Sequence, residues 1–278
     1  FEQAAGMKLS DETKLLRLVL LEIERVAIHI ADLGAIAGDI GYYPLLGVCS
    51  TDRGVPLGVM ETLTGSRFGK ACIFPGEVRL KKDFSKEELM ALCENLKNAF
   101  HRVETQILRA VKSSTIRERL HECGTISRNQ VYRNGFVGMA ARCTGVTQDL
   151  RLSEELYIKT GMTLWLEEYK EQLLGDAWAR FYLRYAELKN SVDWLIHILP
   201  KLTPSAPARG DFLIQKKKKF KPGLYYSSVE GWRGPVLVAL DISVEGKILQ
   251  SYVRDPSVLN WHALELAVRG ELIGDFPL

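Results

Sequence analysis

The chain has 278 residues, of which 46% are hydrophobic and 26% charged, with 37 Lys+Arg set against 34 Asp+Glu. That length suits two compact domains or one elaborate one, and the composition excludes wholesale disorder and collagen-like structure. A net charge of +3 is too weak to point to nucleic acid without a concentrated patch, and five cysteines, no two closer than 20 residues, argue against a disulfide framework and exclude a local Cys-x-x-Cys pair.

No basic segment followed by an apolar run opens the sequence, so no signal peptide is expected. The first long helix reads from about residue 12 to 37, with Ser10 as its N-cap and Asp11 and Glu12 at the positive end of its dipole. Its most apolar part, Leu15 to Leu33, contains six ionisable residues, which rules out a membrane span. A helix apolar on most of its surface should be buried on most sides. Against that background Glu22, Arg25, His29, Asp32 and Asp39 share an arc of roughly 100° on a 3.6-residue period. Buried carboxylates beside a histidine and an arginine suit proton relay or general acid–base work. The plainer possibility is that Glu22–Arg25 and His29–Asp32 are pairs neutralising each other at a helix seam.

Further along, a short helix spans Val55 to Leu63 and Gly65 closes it, and a turn follows at residues 73–78. Ser85 with Glu88 forms a capping box, opening a helix that runs to about Lys112. Residues 125–151 are Gly-rich and read as irregular, and another long helix runs from about Gly175 to Leu199. On it, Trp178, Phe181, Tyr182 and Tyr185, with Trp194, sit at core spacing. Pro204, Pro207 and Gly210 mark a linker, and Lys216–Lys219 read as a solvated charge run. Strands are expected at 224–229, 236–242 and 247–254, then a short helix from Trp261 to Arg269. The fold class is α+β, helix-dominant: a long-helix bundle core with a small antiparallel β unit near the C-terminus, divided as residues 1–200 and 201–278.

The sequence contains no dinucleotide fingerprint, P-loop, Gly-x-Ser-x-Gly elbow or His-Glu-x-x-His motif. Several segments in order do resemble a known family. They are the stretch from Glu22 to Gly34, Pro75 to Arg79, Arg142 to Gly145 with Asp149 and Arg151, and Gly175 to Arg180. The most specific is Glu230-Gly231-Trp232-Arg233-Gly234, followed by Arg254 to Ser257, Asn260-Trp261 and Val268 to Gly270. Together they resemble the large subunit of membrane-bound nickel–iron hydrogenases, nearest the formate-hydrogenlyase type, and the homologous 49-kDa subunit of the NADH:quinone oxidoreductase of respiratory complex I.

The resemblance implies an oxidoreductase subunit of a membrane-associated electron-transfer complex, cytoplasmic and peripheral on the cytoplasmic face of the inner membrane. The implied partners are an iron–sulfur small subunit and membrane subunits, with no nucleic acid and no transmembrane segment of its own. Arg233 and Asp39 match residues around the catalytic chamber, so they are the implied catalytic pair. Glu22, His29, Asp32 and Arg142 are implied as a proton relay or supporting shell, and Asp149 and Arg151 lie in the same matching loop.

The resemblance also implies that the metal-binding cysteine pairs of the hydrogenases fall beyond both ends of this sequence. No metal is then expected here, a nickel–iron centre requires terminal Cys-x-x-Cys pairs in a longer protein, quinone is possible, and the segment by itself is expected to be inactive. The competing expectation is a metal-free structural subunit that docks an iron–sulfur partner and relays conformational change to membrane subunits. Arg233 and Asp39 are expected to open onto one cavity between the first helix and the β unit.

Overall fold

A computed structural model describes residues 1–163, 172–202 and 220–278. The linker prolines and Lys216–Lys219 lie outside the described residues. Helix α1 (Asp11–Asp39) begins where Ser10 accepts the Thr13 N–H and ends where Gly41, at φ 77°, turns the chain. It is sheathed on most sides, as its sequence demands: Leu20, Ile23 and Ala27 are 4%, 0% and 1% exposed. Helices α2 (Tyr43–Asp52), α3 (Gly54–Thr64) and α9 (Ala177–Ile198) surround it, and α4 (Lys86–Lys112) closes the bundle against α2 and α9. Gly34 permits the closest crossing, because a Cβ there would lie 2.6 Å from Cβ of Cys49 on α2.

The capping box that starts α4 is present, Ser85 and Glu88 each satisfying the other's backbone N–H. Between α3 and α4 a minimal hairpin pairs β1 (Ile73–Phe74) with β2 (Glu77–Val78). The long helices thus follow the expected boundaries to within about two residues.

Three regions depart from expectation. Helix α2 was not anticipated; Pro44 within its first turn fixes φ for a helical start, and its mixed composition carries no clear period. The stretch expected to be irregular holds α6 (Arg128–Asn134) and α7 (Gly138–Arg142), after α5 (Ser114–Leu120) and before α8 (Glu155–Lys159). Ser127 and Gln130 cap α6 reciprocally, and Gly135 at φ 69° stops it. The last helix, α10 (Pro256–Ala267), starts five residues earlier than expected because Asp255 caps it and Pro256 occupies its first position. Asn260, in the middle of α10, donates to the Val137 carbonyl (3.1 Å) and accepts the Val137 N–H (3.0 Å), holding α10 against the start of α7.

The C-terminal unit is an antiparallel meander of β3 (Gly223–Gly231), β4 (Gly234–Ile242) and β5 (Ile248–Arg254), in the order β3-β4-β5. Its β3–β4 tip reaches the helical core, whereas the body of the sheet carries apolar side chains on both faces. Leu224, Tyr226 and Tyr252 project from one face and Val229, Val238 and Val253 from the other, all exposed.

Candidate functional site

The polar stripe of α1 meets α9, the 142–151 segment and the end of β3 in one enclosed cluster of charge. Glu22, fully buried, accepts Nε of Arg25 at 3.2 Å, the Tyr157 hydroxyl at 2.7 Å and the Ser191 hydroxyl at 2.5 Å. Arg25 reaches across to β3, donating to the Gly231 carbonyl at 3.1 Å and to the Glu230 carbonyl. Glu187 on α9 is the hub. It meets His29 Nε2 at 3.1 Å, Arg142 at 2.8–2.9 Å and Arg151 at 3.5 Å. Arg142 bridges Glu187 to the Glu230 carboxylate at 2.6 Å, and Arg151 chelates Asp149 through contacts of 2.7–3.2 Å.

These groups sit in a low-dielectric interior, so each proton affinity reports which partner prevails. Burial raises the Glu22 and Glu187 carboxyls, but arginine charges outweigh it and hold both below the usual carboxylate range, Glu187 well below. Glu230 goes the other way. Its burial exceeds what Arg142 supplies, and its affinity for a proton rises. Burial lowers the His29 affinity despite the Glu187 contact, favouring the neutral ring. Four carboxylates (Glu22, Asp149, Glu187 and Glu230) face three guanidiniums (Arg25, Arg142 and Arg151). With His29 neutral, the cluster carries one uncompensated negative charge, which a single proton relieves. Glu230 is the member whose surroundings favour taking it; His29 Nδ1 is buried with no hydrogen-bond partner among the described residues.

The structure therefore gathers Glu22, Arg25, His29, Arg142, Asp149 and Arg151 at one seam. The simple intrahelical pairing holds for Glu22–Arg25 only. His29 turns to Glu187, and Asp32 leaves the cluster to meet Arg184 at 3.3 Å. Arg233 and Asp39 are both exposed and stand outside the cluster. Arg233 occupies the β3–β4 tip with Asp255 as its electrostatic neighbour, and Asp39 ends α1. Arg25, which grips β3, and Asp39 are 14 residues apart on one helix, about 21 Å along its axis. No described hydrogen bond or ion pair joins Arg233 to Asp39. The position of Arg233 is set by backbone crowding: a Cβ at Gly138 would lie 2.0 Å from the Arg233 carbonyl oxygen, and Gly138 has φ +58°.

Reading the sequence alone overlooked Glu187, Glu230, Tyr157 and Ser191. A carboxylate at Glu187, amid the Trp, Phe, Tyr and Leu residues of α9, was the available signal for the hub. Glu230 stood inside the most specific motif without an assigned role.

The cysteines do not fit a nickel–iron group, which requires thiolate donors. All five are free and buried, and burial pushes the Cys49 thiol up to about 12 and the Cys93 thiol up to about 11. Among the described residues one three-residue grouping does form: Cys123 Sγ lies within 4.8 Å of carboxylate oxygens of Glu271 and Asp275. Both acids are already engaged. Glu271 accepts the Gly124 N–H at 2.9 Å, and Asp275 pairs with Arg119 at 2.5 Å, so the grouping pins the C-terminal turn to the helical core.

The described core is thus a bundle of long helices that encloses an ion network, with a β tip clamped to its central helix. The family described as the 49 Kd subunit of the respiratory-chain NADH dehydrogenase matches residues 39–223, and the chain belongs to that family. It is 27% identical, over 99% of its length and 72% of the relative's, to the D subunit of the NADH-quinone oxidoreductase of Desulfotalea psychrophila. It is 26% identical, over 99% of its length and 66% of the relative's, to the alpha subunit of the membrane-bound hydrogenase of Pyrococcus furiosus. The corresponding NADH-quinone oxidoreductase polypeptide of Chlorobium chlorochromatii is 24% identical over 99% of this chain and 69% of its own length.

Proposed function

We propose that this chain is the large subunit of a membrane-associated electron-transfer complex, an oxidoreductase subunit of the hydrogenase and quinone-oxidoreductase kind. The observation that carries the reading is the clamp of Arg25, Arg142 and Glu230, which fixes the β3–β4 tip against α1 and leaves Arg233 projecting. A guanidinium held that way polarises a substrate or exchanges a proton with a group brought to the tip. Asp39 projects likewise at the end of α1, which suits a site completed by polypeptide other than the residues described. Behind the tip, the raised Glu230 carboxyl supplies a place to hold one proton, next to Glu22, His29 and Arg142 of the proposed relay; Asp32, paired with Arg184, stands outside it. Nickel–iron chemistry is not assigned to this chain's own residues, and a quinone as the acceptor belongs to the proposal. Alone, the chain is inactive on this reading, because Arg233 and Asp39 are exposed and need further polypeptide to enclose a substrate between them.

Peripheral attachment agrees with the described helices, none of which is long and apolar enough to cross a membrane. The two-faced apolar sheet supports docking by an iron–sulfur subunit and membrane subunits. The test is isolation of the tagged full-length protein from native membranes in mild detergent. An iron–sulfur subunit and membrane subunits should co-purify, and Arg233→Ala should abolish electron-transfer turnover with assembly intact. Recovery as a free monomer would refute the complex; unchanged turnover would remove Arg233 from the mechanism.

A further inference from the structure

On the side of α1 away from the ion cluster, a cleft of about 150 Å³ opens between α1, α3 and the loop leading to β1. Its wall is hydrocarbon: Leu20, Ile23 and Ala27 from α1, Leu57 and Met60 from α3. Arg17, Arg53, Arg67 and Glu24 line it as well. The arginines are not equivalent. Arg17 is committed to Glu2 at 2.6 and 3.0 Å and to the Phe74 carbonyl at 2.9 Å. Arg53 and Arg67 make no ion pair among the described residues, and Arg53 Nε is buried without a hydrogen-bond partner there. A buried donor left unmet is a costly arrangement that a bound acceptor relieves.

We propose that this cleft binds a small amphipathic anion, an alkyl or aromatic carboxylate, with its hydrocarbon against Leu57 and Met60 and its head group on Arg53 and Arg67. Three features select that class. The volume equals that of an apolar cavity that takes up a benzene-sized molecule, so the buried part of the ligand has roughly six to ten heavy atoms. Pockets with an apolar body and a few convergent polar groups hold ligands whose polar end is fixed by those groups. A guanidinium recognises a planar carboxylate through paired hydrogen bonds, which a neutral or cationic head group cannot accept in the same way. Glu24 gives the cleft a direction. A carboxylate head group must avoid it and lie on the Arg53–Arg67 side.

The experiment is calorimetric titration of the purified full-length protein with octanoate, octanol and octylamine, three probes with one tail and three head groups. Octanoate should bind saturably, octanol about tenfold more weakly, and octylamine more weakly still. Arg53→Gln combined with Arg67→Gln should lower the octanoate affinity about tenfold and leave octanol unchanged, whereas Glu24→Gln should strengthen octanoate binding. Leu57→Trp, which fills the cleft, should abolish both; the arginine variants leave the hydrocarbon wall intact and keep the test independent of that change. Equal affinity for octanoate and octanol, octanoate binding unaffected by the arginine variants, or the lack of saturable binding would each overturn the proposal.

Discussion

The α1–α9 seam and the β3–β5 sheet invert the usual arrangement of polarity in opposite senses. At the seam, carboxylates and guanidiniums are sealed from water; on the sheet, Tyr226 is 71% exposed and Val253 is 62% exposed, on opposite faces. The seam is built within the chain, because each of its carboxylates and guanidiniums meets an opposite charge there, with one negative charge in excess. Among the described residues the sheet finds no partner for its apolar faces, and contiguous exposed apolar surface of this kind marks an interaction surface. Burial of charge therefore shows what this chain finishes alone, and exposure of hydrocarbon shows what it leaves to a partner.

The comparison is broken most forcefully at the hub. Glu187→Ala leaves Arg142 and Arg151 short of their shared counter-ion in the interior, and urea unfolding should show a loss of about 3–5 kcal/mol, enough to unfold a marginal domain. Gly138→Ala forces a Cβ into the Arg233 carbonyl and a left-handed backbone on a non-glycine residue, with an expected cost of about 3 kcal/mol. It should also free the β3–β4 tip, read as faster amide hydrogen exchange at residues 231–234. Tyr157→Phe removes one of the hydrogen bonds to the Glu22 carboxylate and should cost about 1.5 kcal/mol in the same urea assay.

A pH titration sharpens the contrast further. Burial depresses the His29 affinity in the folded chain, so its contribution to stability is present above the unfolded value of about 6.5 and is lost as pH falls through the folded value. Glu22 and Glu187, also depressed, lose theirs at still lower pH, starting near the unfolded carboxylate value of about 4.3. Glu230 is raised, and its contribution is lost as pH rises through its folded value. His29→Gln should flatten the first decline between about pH 6.5 and 5, and an unchanged slope would show that the histidine does not titrate with folding. The smallest effect on folding belongs to the sheet. Tyr226→Ser with Tyr252→Ser should change stability by no more than about 0.5 kcal/mol per site, yet diminish recovery of the assembled complex from membranes.

Much of the helical core was legible because its elements are long and strongly patterned. The period of α1, the capping box of α4 and the stop after α9 each carry local information. Even the seam was half visible, since three ionisable residues at spacings of three and four on an apolar helix declare a buried face. The other half was not, because charge pairing is decided by tertiary geometry. His29 and Asp32 are suitable partners on one helix, yet their orientations send one to Glu187 and the other to Arg184. Helix α2 was missed for another reason: a short helix that draws stability from packing needs little periodicity of its own. The short helices α6 and α7 hid within glycine-rich sequence whose glycines serve as a stop and as a close backbone approach.

The bond from Arg25 to the Gly231 carbonyl joins residues 206 positions apart. Closing so long a loop is entropically slow, and the charges it brings together gain nothing until all have left water at once. The tip should therefore dock after the helices have assembled, on the native side of the rate-limiting barrier. Substitutions at Glu230 or Arg25 should then accelerate unfolding while leaving the refolding rate almost unchanged. In a stopped-flow experiment, the unfolding arm alone would shift.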